Sequence, residues 1–520
     1  MVGPADDASA DIGTEAPPRD VGDPPEVAEV APGLTPLAWE RLGLAVGVAI
    51  LVAQAAMTIG TSPLWLDEAY TLGAVNDPGQ SLTRTHGTMG LYYVVMWGWG
   101  QVGTAAWWLR TPSLLCAVAT LVVVRPLARR IGGHRLVAVG LPVLALNQMF
   151  AWKAMEARAY AMETLIVTLV WAAALRAMGV VGAGPDRRWW LATVPLAVAG
   201  TFCHGLFVVQ LAPIVVVAAA SRRPLRAVAA TVPALVAAAL AALALRSAGA
   251  SEVGTNVPGG PAPWLGAWMD ELLSRSPLLK VALAEVVAVG LVLGARRAWR
   301  ARRDAEARVA ALVPATWAVA PALALGLVSI VDPVFNPRYL APSAVGLALV
   351  VGGALTRIPV PHWGRPLAAV AVAAAAVTLV AAAVAAPPYM DEDWSTAARI
   401  VARGAEPGDG VVFANLDEGE PVQSRPPFEA AWAGFDTPIT PVVLSSDRPL
   451  GRVQRYDTPR SLSRMAAAAA GRDRVWMVLT HGRGDDNARR IDESALAGFA
   501  PVRTWPVDDA VEVRLYEDRR

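Results

Sequence analysis

Two adjacent carboxylates, Asp67 and Glu68, stand in Pro63-Leu64-Trp65-Leu66-Asp67-Glu68-Ala69-Tyr70-Thr71, just after the first apolar run. Ionised groups at a membrane boundary are costly unless they are solvated or used, so their position is itself a functional clue. Further on comes Lys153-Ala154-Met155-Glu156-Ala157-Arg158-Ala159-Tyr160. Helical spacing puts Lys153, Glu156 and Tyr160 on one face, and a Lys point charge beside an Arg fork suits a phosphate. The third polar segment, Asp332-Pro333-Val334-Phe335-Asn336-Pro337-Arg338-Tyr339, opens a helix at Pro337 and sets Arg338 in its first turn. Anions favour helix N-termini as well as Arg, which makes Arg338 a candidate ligand for a lipid phosphate. Each segment also has a plainer reading: a solvated acidic pair beside an aromatic anchor, or cations that snorkel to the headgroups. His204, in Phe202-Cys203-His204-Gly205, is a candidate pocket residue or a packing residue near the end of a span.

The elements that must hold these groups are mostly apolar. Of 520 residues, 55% are hydrophobic and 17% charged, against roughly 25% charged in soluble domains. The net charge of +1 gives no sign of a nucleic-acid partner. Residues 1–40, rich in Asp, Glu, Pro and Gly, read as a disordered tail. A span needs about 20 apolar residues, and eleven candidates follow, near 43–60, 111–127, 136–151, 161–178, 189–203, 206–220, 227–245, 279–295, 309–330, 340–355 and 366–386. The basic connections are Arg125/Arg129/Arg130/Arg135, Arg187/Arg188, Arg222/Arg223/Arg226, Arg296 through Arg308, and the weaker Arg357/His362/Arg365. With a cytoplasmic N-terminus and eleven spans, all five face the cytoplasm, as Arg and Lys in short loops prefer. Asp67, Lys153–Tyr160, Asp332–Tyr339 and the C-terminus then face outward. Between Trp65 and Gly103, the density of Trp suits helices lying in the interfacial belt.

After Pro387-Pro388 the composition becomes that of a soluble domain. An amphipathic helix over Asp393–Gly404 and strands at Val411–Phe413, Arg474–Leu479 and Val511–Tyr516 predict a small α/β unit over 387–520. No His/Cys/carboxylate cluster has zinc spacing, and no nucleotide-type Gly loop is present. Any activated donor is therefore expected to be membrane-borne, and no cofactor or metal is called for.

These pieces, in this order, resemble the GT-C membrane glycosyltransferases, and most closely the bacterial family 39-like group related to protein O-mannosyltransferases and aminoarabinose transferases. The resemblance rests on Leu64–Thr71, Gly90-Leu91-Tyr92-Tyr93 with Trp97, Leu109-Arg110-Thr111-Pro112-Ser113, Glu156–Tyr160 and Pro337-Arg338-Tyr339-Leu340, spanning about 43–355. It implies a polytopic α-helical GT-C domain over 41–386 in the plasma membrane, with the site and the C-terminal domain extracytoplasmic. It implies a polyprenyl-phosphate sugar donor, with mannose the leading candidate, and a hydroxyl acceptor on a glycan, lipid or protein. By the same resemblance Asp67 is the catalytic base, Glu68 its catalytic neighbour or an acceptor ligand, and Arg338, Arg158 and Lys153 hold the donor phosphate. The substrate pocket is expected to include Tyr70, His86, Tyr92, Tyr93, Glu156, Tyr160, His204 and Tyr339. One position departs from the family: Thr85-His86-Gly87-Thr88-Met89 carries His86 where relatives commonly have an acid. That departure keeps open a non-catalytic envelope assembly or binding protein on the same scaffold. A lipid-linked sugar transporter is a further rival, although its charges would be expected near the bilayer midplane.

Overall fold

The computed structural model describes residues 35–182, 184–248, 257, 259–357, 373–381, 392–414, 416, 424–435, 439–454, 458–481 and 483–519. Helix α1 (Pro36–Thr58) opens on a Thr35 hydroxyl that accepts the Ala38 N–H, with Pro36 in the first turn. The helix thus begins earlier than the apolar run at 43 suggests, inside the segment read as tail, of which residues 1–34 lie outside the described residues. Its first turns hold because buried Glu40 accepts from Arg125 at 3.2 Å and lies 3.7 Å from Arg129. Both arginines are on α5 (Ala106–Leu146), which carries two of the expected spans and turns between them at Gly133. There φ is +77°, a region open to glycine and strained for residues with a Cβ.

Helices α1 and α5 pack backbone to backbone. A Cβ added at Gly43 would lie 2.6 Å from Ala138 Cα, and one at Gly47 would lie 3.2 Å from Leu141 O. Small residues at this spacing replace the hydrophobic drive that lipid cannot supply between helices. Three short helices, α2 (Leu66–Asn76), α3 (Pro78–Arg84) and α4 (Gly90–Gly100), fill the first connection. There Trp99 and Trp108 stack at 4.3 Å. The chain continues through α6 (Gln148–Ala154), α7 (Tyr160–Ala177), α8 (Arg188–Cys203), a 3-10 turn into α9 (Ala212–Ala219), α10 (Pro224–Ser247) and α11 (Pro261–Leu272). Then come α12 (Pro277–Arg300), α13 (Ala305–Val331), a 3-10 turn at Pro337–Leu340, α14 (Ser343–Leu355) and α15 (373–381).

Among the described residues six helices are long and apolar enough to cross a membrane: α1, α5, α7, α10, α12 and α13. The other expected runs fall on shorter helices, and the run at 366–386 is described only over 373–381. The chain is a polytopic helical membrane protein with a C-terminal domain. Its basic connections gather at one end of the bundle. Arg125 meets Glu40, Arg130 donates to Val180 O, Arg308 donates to Ala220 O, and Arg297 and Arg357 line one small cavity with Ile131.

The C-terminal domain is a five-stranded sheet in the order β2-β1-β3-β5-β4. Strands β1 (Gly410–Phe413), β2 (Val442–Val443) and β3 (Arg474–Thr480) run parallel; β4 (Phe499–Pro506) and β5 (Val511–Asp518) add antiparallel. The expected helix is α16 (Trp394–Gly404), capped by Asp393 accepting the Thr396 N–H. Helices α17 (Arg425–Trp432), α18 (Leu462–Ala469) and α19 (Arg483–Ser494), with β2 and β4, were not foreseen. Strand β4 carries Pro501 and Pro506, which a sheet accommodates at an edge or a bulge. It has both: it is the outermost strand and its register slips between Pro501 and Arg503.

Candidate active site

Asp67 and Glu68 occupy the first turn of α2, where the helix dipole favours negative charge. Their side chains part there, as neighbours on a helix must. Glu68 points inward and is fully buried. Arg110 grips it with a two-point fork, Nε to Oε1 at 2.8 Å and Nη2 to Oε2 at 2.6 Å. The same guanidinium donates to Ile59 O, Ser62 O and Pro63 O at 2.8–3.0 Å. Glu68 Oε1 also accepts the Ala157 N–H at 2.8 Å, and the Thr71 hydroxyl donates to Ala157 O at 2.9 Å. One buried ion pair therefore joins the end of α1, the start of α2, α5 and the loop before α7.

Asp67 faces the opening, with its side chain 21% exposed. Its Oδ2 lies 3.6 Å from Arg158 Nη2 and 3.5 Å from Arg338 Nη1. Arg158 also donates to the Asp67 backbone carbonyl at 3.2 Å, and Ser113 donates to the Arg158 carbonyl at 3.3 Å. Arg338 is the second residue of the 3-10 turn, which Asn336 caps by accepting the Arg338 N–H at 3.0 Å. Its guanidinium lies 5.7 Å from the Trp65 ring. Residues separated by 271 positions in the chain thus meet at a single carboxylate.

Behind this trio Lys153 is buried, with Nζ 2.6 Å from Glu156 Oε2 and 4.5 Å from the centre of the Tyr160 ring. Burial pulls the Lys153 ammonium down and pushes the Glu156 carboxyl up, and the attraction between them offsets both. Lys153 therefore sits behind the rim rather than on it. His204 packs between Tyr339 at 4.8 Å and Tyr160 at 5.7 Å, with Nδ1 3.9 Å from Glu163. Burial, aided by the Arg158 charge, pushes its imidazole down to about 3, so it is neutral at pH 7.

No family model matches the sequence, and no curated protein matches it. Solved structures do. ArnT from Cupriavidus metallidurans in the apo state superposes with a TM-score of 0.54 at 14% identity, covering 92% of this chain and 98% of that one. The fold is GT-C. ArnT bound to undecaprenyl phosphate matches with a TM-score of 0.51, at the same identity and coverage. AglB from Archaeoglobus fulgidus, in complex with an inhibitory peptide and a dolichol-phosphate, gives 0.48 at 11% identity over 85% of this chain and 69% of that one.

Two cavities flank the start of α12 in this GT-C fold, and the first reaches the site through Arg338. One, about 510 Å³, lies between α11, the start of α12 and the 3-10 turn, with Asp270, Glu271, Arg275, Lys280 and Arg338 in its wall. Lys280 pairs with Asp270 and Arg275 with Glu271, so the lining is charged and balanced. The other, about 270 Å³, is apolar and is bounded by α5, α12, α14 and α15, with Leu279, Leu283, Val286, Leu347 and Val351 among its residues. Leu279 and Lys280, consecutive on α12, face different cavities.

Of the remaining expected residues, Tyr92 and Tyr93 come within electrostatic reach of Arg158, and His86 is turned to solvent. His86 is exposed on the α3–α4 turn at φ +51°. Tyr70 is buried on α2; Tyr92 and Tyr93 are buried on α4, where the Tyr93 hydroxyl donates to Met89 Sδ at 3.7 Å. Sequence reasoning gave no role to Arg110, although it quoted the motif that carries it. It also passed over Glu163, whose two carboxylate oxygens are buried without a hydrogen bond, and Glu392, which reaches the site from the C-terminal domain.

Proposed function

We propose that this chain is an inverting glycosyltransferase that moves one monosaccharide from a polyprenyl-phosphate donor to a hydroxyl acceptor outside the cytoplasm. The observation that carries the reading is Asp67, a partly exposed carboxylate held between two guanidiniums, one of which, Arg338, lines a charged cavity beside an apolar one. In the reaction Asp67 takes the acceptor hydroxyl proton while that oxygen bonds to the anomeric carbon. The bond from that carbon to the lipid phosphate oxygen breaks on the opposite face, and its electron pair stays with the phosphate. A positioned general base supplies about 10²–10⁴-fold. Arg338 and Arg158 offset the charge that gathers on the leaving phosphate. Glu68 acts through structure: occupied by Arg110, it fixes the first turn of α2 and so the place of Asp67.

The apolar groove suits the polyprenyl chain and the charged cavity suits a hydroxylated, phosphate-linked headgroup. Mannose is the candidate sugar, and a glycan, lipid or protein the candidate acceptor. The basic end of the bundle, opposite the site, is assigned to the cytoplasm. That leaves Asp67 and the domain over 387–520 outside, and Met1 inside.

The test is transfer of labelled sugar from mannose, arabinose, glucose and galactose polyprenyl phosphates in membranes carrying wild type or Asp67→Asn. Product that falls by at least about 100-fold with Asp67→Asn at equal protein level supports the reading. Equal product from both removes Asp67 as the base.

A further inference from the structure

The C-terminal domain does more than sit beside the bundle: it holds α2 at both ends. At the far end, Asn76 Nδ2 donates to Val453 O at 2.8 Å, and Arg452 donates to Asn76 O. The loop that supplies these contacts is fastened to α17 by buried Arg425, which donates to Ser446, Arg448 O and Pro449 O. At the near end, Glu392 Oε2 accepts the Leu66 N–H at 3.0 Å and the Trp394 indole N–H at 2.8 Å. Leu66 is the first residue of α2 and is followed directly by Asp67.

We propose that Glu392 is a positioning residue of the membrane site, through which the C-terminal domain fixes the first turn of α2 and sets the basicity of Asp67. This rests on Asp67 being the base. The charged groups around the pair have opposing effects. Arg158 and Arg338 stand 3.6 and 3.5 Å from Asp67 Oδ2, and cations at that distance favour a carboxylate's charged form. A second carboxylate beside it opposes them, because like charges disfavour ionisation of either. On the domain side Glu392 also meets Asp508, which accepts the Asp393 N–H at 2.6 Å. Burial pushes the Glu392 carboxyl up, its two hydrogen bonds pull it down, and Asp67 and Asp508 push it up again, so the electrostatic link between Glu392 and Asp67 is mutual. Glu68 is neutralised by Arg110 and does not substitute for Glu392.

The decisive variant is Glu392→Gln, whose amide oxygen can still accept from Leu66 and Trp394 while the charge is gone. Protonation of Asp67 is read directly, as carbodiimide labelling of its peptide against pH by mass spectrometry, on the full chain in nanodiscs. The labelling midpoint should move to lower pH by about half a unit or more, and the acidic limb of sugar transfer should follow it. A midpoint that does not move overturns the inference, whatever happens to activity. Glu392→Asp, which keeps the charge and shortens the reach, provides the second reading if the Gln variant does not accumulate. Its midpoint should stay within about 0.2 units of wild type while transfer falls, and a downward shift of half a unit would overturn the inference. Transfer that survives Asp67→Asn refutes the base itself, an outcome separate from the labelling midpoint.

Discussion

Replacing Arg110 with Met removes the fork from Glu68 and leaves a fully buried carboxylate facing no cation. Breaking a buried pair from one side costs about 3–5 kcal/mol, or about two to three and a half orders of magnitude in the folded-to-unfolded ratio. The carbonyls of Ile59, Ser62 and Pro63 lose a donor as well. The double variant Glu68→Met/Arg110→Met removes both charges together. What remains is the cost of those carbonyls and of the Ala157 N–H, each about 1 kcal/mol where the backbone can relax or hydrate. The double variant should therefore be more stable than Arg110→Met alone, with a coupling energy of about 2–4 kcal/mol in the cycle. Denaturant titration of detergent-solubilised protein, followed by Trp fluorescence, measures all four corners. A coupling below about 0.5 kcal/mol would refute the claim that this pair is the pin of the site. Transfer should be lost in both variants, because α2 is no longer fixed, and a shift of about 1 Å at a catalytic group costs about 100-fold.

Gly43→Leu puts a side chain where the Cβ alone lies 2.6 Å from Ala138 Cα. α1 and α5 must then separate, and the variant should lose thermal stability in nanodiscs by more than Gly266→Leu, whose Cβ meets nothing within 4 Å. His204 is neutral when folded, down to about pH 3, whereas the unfolded imidazole takes its proton near about 6.5. The unfolded state binds more protons between those values, so the His204 contribution to stability is present above about 6.5 and is lost as pH falls toward 3. His204→Phe should flatten that part of the stability–pH curve, and a parallel curve for the variant would contradict the assignment.

Much of the bundle is legible in the sequence because lipid demands runs of apolar residues that no soluble context requires. The ends of those runs are less legible. α1 reaches back to Pro36 because Glu40 is paired with arginines 85 and 89 residues away, and no local pattern carries that information. The trio of Asp67, Arg158 and Arg338 is anticipated from residue type and depth, since each stands at the boundary of an apolar span. The division of labour between Asp67 and Glu68 is not, because it depends on Arg110, whose place beside Glu68 is set by how α5 packs. Glu392 lies within an acidic run that reads as surface, and only the docking of the C-terminal domain brings it to Leu66. Strand β4 escapes notice because two prolines argue against a strand until its edge position is known.

Leu279 and Lys280 are neighbours on α12, yet one turns to an apolar groove and the other to a charged cavity. A single helical turn therefore marks where oil ends and water begins. For a lipid-linked donor this removes the need to leave the membrane. Drawing even ten methylenes of its tail into water would cost about 8 kcal/mol, more than one carboxylate and two arginines readily recover. A headgroup that crosses the boundary at Lys280 while its chain stays against Leu279 and Leu283 avoids that extraction. Under the proposed reaction, the spent carrier phosphate would leave by sliding sideways in the bilayer rather than by dissolving.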